Sequence, residues 1–176
     1  MAEQEKKPQP LPQTLRGMRD LWGEPAALHE YVRSVAAKVF KAYQFQAIEV
    51  PVVEFTRLYE RGTGESSDIV TKELYAFETT GGDNVALRPE FTPGIVRAYV
   101  ENGLSRLGVP QRLSTIGPLF RHDKPQHGRY RQFWQADAEI IGGTGDPVYD
   151  AQIITASYRI LKQLKVQTTL EINSIG

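Results

Sequence analysis

A chain of 176 residues is long enough for one domain with a buried core, and its 40% hydrophobic and 24% charged residues are ordinary for a globular protein. Its 21 basic and 21 acidic side chains cancel, which excludes a general electrostatic attraction to nucleic acid, and the lack of cysteine excludes disulfides and thiolate metal sites. The histidines, His29, His122 and His127, lack metal-ligand spacing, and no apolar run approaches the roughly 18 residues of a membrane span. The polar first residues lack the apolar core of a signal peptide, so the sequence favours a cytoplasmic protein.

The chain begins with a polar tail, which is followed by a long helix and a short strand. Residues 1–13 are rich in Gln, Lys and Pro, which predicts a disordered tail in front of one domain over residues 14–176. In Glu24–Tyr43 apolar residues recur at helical spacing, so this segment is predicted to be a helix. Phe45–Val50 is predicted to be a strand that ends at a proline.

The next segment is predicted to contain a short helix, a loop and a β-hairpin. Two glycines followed by an aspartate are typical of a tight turn between antiparallel strands. The elements are a helix over Glu54–Arg61, a loop over 62–68 in which Ser66 or Ser67 caps a following turn, and strands Leu74–Glu78 and Asn84–Arg88 around Gly81-Gly82-Asp83.

A strand-to-helix junction follows, and it carries two polar side chains. The segment Pro93–Asn102 is predicted to be a helix, with Thr92 as its N-cap. Glu90 and Thr92 at such a junction fit simple capping as well as they fit ligand binding.

Two long arms, Gln111–Arg121 and Arg129–Ile141, alternate as strands and flank a polar, basic loop. An Asp and a Glu spaced two apart are a poor way to build a core, and they make better sense lining a wet pocket. Arg121 at the end of the first arm completes a set that suits a ligand with a phosphate, a flat base and an amine. A solvated amphipathic hairpin with salt bridges fits the same alternation. The period of two places Arg131, Phe133, Gln135, Asp137 and Glu139 on one face of the second arm, and Tyr130, Trp134, Ala138 and Ile140 on the other.

The last part of the chain is predicted to be a helix and a strand. Asp146 caps a helix that begins at Pro147 and runs to about Leu164, and Gln167–Ile172 is the last strand. The predicted fold is therefore α+β, with a mostly antiparallel sheet flanked by helices. The buried face of the last helix is predicted to comprise Ile153, Ile154, Ser157, Ile160, Leu161 and Leu164.

Several strings in this chain resemble those of one enzyme family. Phe120-Arg121-His122-Asp123, a loop and Arg129–Gln135 resemble motif 2 of class II aminoacyl-tRNA synthetases, and Lys124–Phe133 resembles the histidyl-tRNA synthetase version closely. Leu87–Thr92 resembles the Leu-Arg-Pro-Glu-x-Thr motif of that family, and the helix, strand and Pro51 resemble motif 1.

The resemblance implies a class II synthetase fold and histidine–tRNA ligase activity. Such an enzyme uses ATP and Mg²⁺ to activate histidine as histidyl-adenylate and then transfers it to tRNA(His). Arg121 is then catalytic and stabilises charge at the α-phosphate, while Phe133 stacks on adenine and Asp123, where the family usually has Glu, lies near the adenine amino group. The residues implied for histidine binding are Glu90, Phe91 (where a small residue is usual), Thr92, Arg121, Gln135 and Glu139.

The resemblance also implies partners. Motif 1 forms the interface of a homodimer in the family, and the loop Lys124–Arg129 either approaches the acceptor end of tRNA or is simply solvated. The later motifs of the family and its anticodon-binding domain are not found here, so we expect a fragment that is incomplete at its C-terminal end and inactive alone. Two alternatives are a regulatory subunit of ATP phosphoribosyltransferase, which shares the fold, and an RNA- or protein-binding fragment without chemistry. The combination of Arg121, Phe133, Gln135 and Glu139 favours the synthetase.

Overall fold

The computed structural model describes residues 11–63, 73–124, 126 and 128–173. In this part of the chain no helix is long and apolar enough to cross a membrane. The helices are α1 (Gly23–Ala42), α2 (Thr56–Thr63), α3 (Thr92–Glu101) and α4 (Val148–Gln163), with a 3₁₀ turn at Leu104–Leu107. The strands are β1 (Gln46–Ala47), β2 (Val53–Phe55), β3 (Tyr75–Glu78), β4 (Asn84–Leu87), β5 (Gln111–Phe120) and β6 (Gln132–Ile141).

The strands form two three-stranded sheets, which confirms a mostly antiparallel α+β fold. In the first sheet β5 is central, with the short β1 parallel to it on one side and β6 antiparallel on the other. The long pairing of β5 with β6 runs from Gln111 opposite Ile141 to Phe120 opposite Gln132. The second sheet is antiparallel throughout, in the order β2-β4-β3. The predicted hairpin turn is confirmed, because Gly82 has a φ of +87° and its amide donates to the carbonyl of Thr79.

Apolar side chains pack on both faces of the first sheet, whereas the alternation along β6 predicted one mostly apolar face and one face lining a wet pocket. On one face Phe133 packs against a core that includes Phe91, Ile95 and Leu119. On the opposite face Ala138 and Ile140 pack against a second core from α1 and its following turn, with Ile153 and Ile160 of α4 beside it. Full burial of one such side chain is worth about 1.5–3 kcal/mol, so slipping β6 by one residue would be strongly disfavoured.

Three predicted elements differ from those in the structure. The helix predicted from Glu54 begins at Thr56, because Val53–Phe55 instead pairs antiparallel with β4. The predicted strand Phe45–Val50 is reduced to the two residues of β1. The predicted strand Gln167–Ile172 is wrong: its residues are exposed, and no strand in the described part of the chain pairs with it. Residues 1–10 of the predicted tail, and Ser66 and Ser67, lie outside the described residues.

Helix α4 begins as predicted but buries a slightly different stripe. Asp146 Oδ1 accepts a hydrogen bond from the amide of Val148 at 2.9 Å, which confirms its capping role. Ala156 is fully buried, whereas Ser157, predicted to be buried, is exposed. The buried stripe runs through Ile153, Ala156 and Ile160, because these residues, spaced three and four apart, lie on the side that faces the second core.

Candidate active site

Arg121 lies directly after β5 and is held by two neighbouring segments. Its amide donates to the carbonyl of Arg131 at 2.9 Å, and its Nε donates to the carbonyl of Pro89 at 3.0 Å. The guanidinium carbon lies 5.2 Å from the centre of the Phe133 ring, within cation–π range. Among the described residues no carboxylate lies within ion-pairing distance of Arg121. Its positive charge therefore remains available for an anion.

Thr92 and Glu139 meet at the start of α3. The Thr92 hydroxyl donates to Glu139 Oε1 at 2.6 Å. The prediction that Thr92 caps the helix is wrong, because Phe91 occupies the N-cap position and no side chain makes a capping bond there. The side chain of Thr92 is directed across to β6 instead, so the structure joins two of the residues that the sequence pointed to.

Asp137 lies between Gln135 and Glu139 on the same face of β6. The pKa of its carboxyl is raised to about 6, chiefly by burial and also by the neighbouring charges of Glu139 and Glu90, while a hydrogen bond from Gln135 Nε2 at 3.2 Å opposes the rise. Its second oxygen, Oδ2, is buried and has no hydrogen-bond partner among the described residues. The face therefore concentrates negative charge around Glu90, Asp137 and Glu139, where a cationic amine would be stabilised.

The two phenylalanines take different positions. Phe133 is half-buried, with part of its ring accessible beside Arg121. Phe91 is 0% exposed and belongs to the core, under the guanidinium of Arg88. Its side chain therefore supports the site from behind and does not face a ligand.

Asp123 stabilises the basic loop. Its carboxylate pairs with Arg129 at 2.8 Å and accepts the amide of Lys124 at 2.6 Å. The loop closes through paired backbone bonds between Gln126 and Arg129, while Pro125 and His127 lie outside the described residues. The described contacts of the Asp123 carboxylate are thus internal to the loop, while its carbonyl accepts a hydrogen bond from Arg131 Nε at 3.0 Å.

The sequence did not single out Gly17 and Arg88 as important for the site. The carbonyl of Gly17 accepts the amide of Arg131 at 2.7 Å, and its φ of +86° and the close approach of the Arg131 side chain both require glycine. Arg88, 5% exposed, is bound by the backbone carbonyls of Pro118, Val50 and Pro51. Gly17 is part of the string Gly17-Met18-Arg19-Asp20, and Arg88 is part of the Leu-Arg-Pro-Glu-x-Thr motif, but no local pattern indicated that this arginine is buried.

The mostly antiparallel α+β architecture, with an arginine above an aromatic ring and carboxylates along the same strand face, agrees with the fold of a class II aminoacyl-tRNA synthetase. A sequence model of the family described as histidyl-tRNA synthetase matches residues 17–176. The chain belongs to the histidyl-tRNA synthetase family.

Curated relatives and solved structures agree with this assignment. The chain is 43% identical over 171 residues to a histidine–tRNA ligase of Novosphingobium aromaticivorans, covering 94% of this chain and 40% of the relative. A histidine–tRNA ligase of Hydrogenovibrio crunogenus is 45% identical over 163 residues, covering 92% and 38%. The structure of apo S. aureus histidyl-tRNA synthetase superposes with a TM-score of 0.73 at 27% identity, covering 87% of this chain and 35% of that one. The chain thus spans about 40% of the length of the curated relatives it matches.

One further structural neighbour shares the fold only. A protein from Bacillus halodurans C, described as an ATP phosphoribosyltransferase regulatory subunit/histidyl-tRNA synthetase, superposes with a TM-score of 0.76 at 24% identity. The match covers 92% of this chain and 40% of that one.

Proposed function

We propose that this chain carries the histidine-activating part of a histidine–tRNA ligase. In that reaction the carboxylate of histidine attacks the α-phosphate of ATP, which gives histidyl-adenylate and releases pyrophosphate, and the histidyl group is then transferred to tRNA(His) with release of AMP. The observation that carries the proposal is the placement of Arg121 over Phe133, on the strand face that also bears Gln135 and Glu139. Membership of the histidyl-tRNA synthetase family supports the same substrates.

Arg121 is the proposed catalytic residue. Negative charge develops around the α-phosphate when the carboxylate of histidine attacks it, and a preorganised cation stabilises that charge. The guanidinium is fixed through Nε to Pro89, and among the described residues its two terminal nitrogens make no hydrogen bond, so they can bind two phosphate oxygens. The adenine is proposed to stack on the accessible part of Phe133, and Asp123 to lie near its amino group.

The histidine substrate is proposed to lie against Glu90, Thr92, Gln135 and Glu139. Its ammonium group fits the negative charge of this face, and its imidazole offers one donor and one acceptor to the amide and carboxylate groups. Phe91 contributes by packing behind this pocket.

Mg²⁺ is proposed to bind together with ATP, where it would neutralise part of the phosphate charge. Such an ion needs only one or two protein carboxylates because phosphate oxygens and water complete its coordination. Among the described residues no group of three or more His, Asp or Glu side chains could hold an ion by itself, so the ion is proposed to arrive with the nucleotide.

A homodimer and tRNA are the proposed macromolecular partners, in the cytoplasm. Helix α1 exposes Leu28, Tyr31 and Val32, an apolar surface that a second copy would cover. The loop Lys124–Arg129 carries exposed basic side chains at Lys124 and Arg129, which suit the tRNA acceptor end. The regulatory-subunit alternative draws on the Bacillus halodurans C protein, whose likeness to this chain shows the fold alone.

The test uses a chimera in which residues 17–176 replace the matching segment of the Novosphingobium aromaticivorans relative. We expect the chimera to catalyse pyrophosphate exchange with histidine and not with glutamine, and the 176-residue chain to lack robust exchange. A chimera that melts cooperatively yet shows no histidine-dependent exchange would contradict the proposed function and favour a binding role.

A further inference from the structure

Arg88 follows β4 and lies where the two sheets meet. Its backbone already joins them, since its amide donates to the carbonyl of Val52 at 2.9 Å and its carbonyl accepts the amide of Phe120 at 3.0 Å. The first bond continues the pairing of β4 with β2, and the second attaches β4 to the end of β5. An arginine that is 5% exposed at such a junction is unusual, because arginine is rarely buried without partners.

The guanidinium of Arg88 binds backbone carbonyls from two further segments. Nε donates to Pro118 in β5 at 3.0 Å, and Nη1 donates to Val50 at 2.6 Å, with Pro51 at 3.5 Å. The short strand β1 pairs only with residues 113 and 114, so it makes no backbone hydrogen bond to Pro118. A proline, which has no backbone N–H, is therefore tolerated there, and its carbonyl can accept a hydrogen bond from the Arg88 side chain. The guanidinium also lies 4.7 Å from the Phe91 ring centre. These are neutral acceptors, so the bonds of Arg88 depend on its shape and not on an ion pair.

The residues held by Arg88 are the ones that carry the proposed chemistry. Pro89, the next residue, supplies the carbonyl that orients the Arg121 guanidinium. Phe91, packed under Arg88, is the N-cap of α3, whose first residue Thr92 binds Glu139. A displacement of residues 88–92 would therefore move both the phosphate-binding arginine and the amino-acid pocket.

We propose that Arg88 is a positioning residue, which fixes residues 88–92 against β5 so that Arg121 and the Thr92–Glu139 pair keep a set distance from each other. The expected effect of Arg88 on the reaction rests on the proposed function, whereas its expected effect on the rigidity of residues 88–92 does not. Lysine cannot replace Arg88 fully, because a single ammonium group lacks the planar fork that reaches both Pro118 and Val50.

The first test measures hydrogen exchange in the 176-residue chain carrying Arg88→Lys or Arg88→Met. Arg97→Met is the control for loss of a partly buried arginine, because Arg97 binds the carboxylates of Glu54 and Glu101 and, among the described residues, its side chain makes no hydrogen bond to residues 88–92 or 117–121. We expect exchange to accelerate about tenfold or more in peptides covering residues 88–92 and 117–121 of the Arg88 variants. Helix α4, whose apolar side chains pack in the second core, should change little.

The second test measures kinetics in the chimera. Arg88→Lys should lower kcat for pyrophosphate exchange and raise the KM for histidine. Both changes should be larger than those caused by Arg97→Met when the two variants have the same melting temperature. Arg88→Met should change kcat and KM more than Arg88→Lys does. Uniform acceleration of exchange along the chain, or no acceleration at residues 117–121, overturns the positioning role. If the wild-type chimera is folded but inactive, the proposed function fails while the exchange pattern still decides whether Arg88 positions this segment.

Discussion

The hydroxyl of Thr92 donates a hydrogen bond to Glu139 at 2.6 Å, and this bond ties the first turn of α3 to the middle of β6. Thr92 is itself exposed and Glu139 half-buried, so the pair lies at the protein surface and not within the core. A side chain directed across to another element, instead of to its own helix, indicates that the junction is shaped for more than capping.

Replacement of Glu139 should weaken histidine binding. Glu139→Ala removes a carboxylate beside the proposed amino-acid pocket and leaves polar neighbours unpaired, which costs about 1–3 kcal/mol, so affinity should fall about tenfold or more. Isothermal titration of histidine into the chimera measures this. Thr92→Val, which keeps the shape of the side chain and removes its donor, should show non-additive coupling with Glu139→Ala. Unchanged histidine affinity would place Glu139 outside the pocket.

Replacement of Arg121 should affect the reaction far more than the fold. Loss of one preorganised donor at a developing charge typically lowers the rate by ~10²–10³, so Arg121→Ala should slow adenylate formation by that factor while histidine affinity changes little. Arg121→Lys should rescue only partly, since an ammonium cannot bind two oxygens in a planar fork. The measurement is single-turnover adenylation in the chimera.

Thermal melts of the same samples distinguish a catalytic role of Arg121 from a purely structural one. Arg129→Ala, which removes the exposed partner of Asp123, is the matched control for a basic side chain of the same hairpin, and should change stability by about 0–1 kcal/mol. Near-normal adenylation combined with a large fall in melting temperature of Arg121→Ala would identify a structural arginine.

Asp137 should make the folded chain less stable as the pH rises. Its pKa is raised from the ordinary 3.8 to about 6, so between these values the folded state holds a proton that the unfolded state has lost. The free energy of unfolding must therefore fall with rising pH across this window and level off above it. One unit of pKa corresponds to about 1.4 kcal/mol. Because the carboxyl is only partly buried, we expect a net loss of about 1–2 kcal/mol.

Urea unfolding of the wild-type chain and of Asp137→Asn between pH 4 and 7.5 isolates this effect, because other titrating groups contribute equally to both. Asparagine carries no charge, so its variant should lack the contribution of Asp137 and gain relative stability as the pH rises. Parallel pH profiles for the two proteins would show that this carboxyl titrates normally in the folded state.

Strand periodicity predicted which residues share each face of β6, and the face predicted to be apolar packs on the second core through Ala138 and Ile140. Phe133, which was predicted to line a pocket, packs on the first core. Helix spacing predicted α1, and the junction at Thr92 and Pro93 predicted α3, each to within a residue or so at both ends. Local patterns carry this information whenever an element has one face against the core.

The wrong predictions concern features that depend on distant partners. A strand exists only where another strand offers hydrogen bonds, so alternation alone could not establish Gln167–Ile172, and β2 could not be separated from the start of α2 without its pairing to β4. The direction of the Thr92 side chain depends on Glu139, which lies far along the chain. Burial of Arg88 depends on carbonyls from two remote segments, and no local pattern encodes it.

Gly117 should be intolerant of alanine because of Arg88. Gly117 lies in β5, and its backbone is in a region open to any residue, so alanine alone would be neutral or slightly favourable there. A Cβ at this position would lie 2.7 Å from Arg88 Nη2 and 3.3 Å from Phe91 Cζ. The guanidinium cannot swing aside freely, because its other nitrogens bind Pro118 and Val50. We expect Gly117→Ala to lower the free energy of unfolding by about 1–3 kcal/mol.

Gly145→Ala is the matched control, since nothing lies within 4 Å of a Cβ built there, and it should stay within about 0.5 kcal/mol of wild type. The diagnostic measurement is urea unfolding of Gly117→Ala alone and combined with Arg88→Lys. Lysine lacks the Nη2 atom that the new methyl group would meet, so the alanine should cost less in the Arg88→Lys background than in the wild type. Strictly additive losses would mean that the methyl group is accommodated without moving Arg88, and that the guanidinium is held less firmly than its three carbonyl contacts imply.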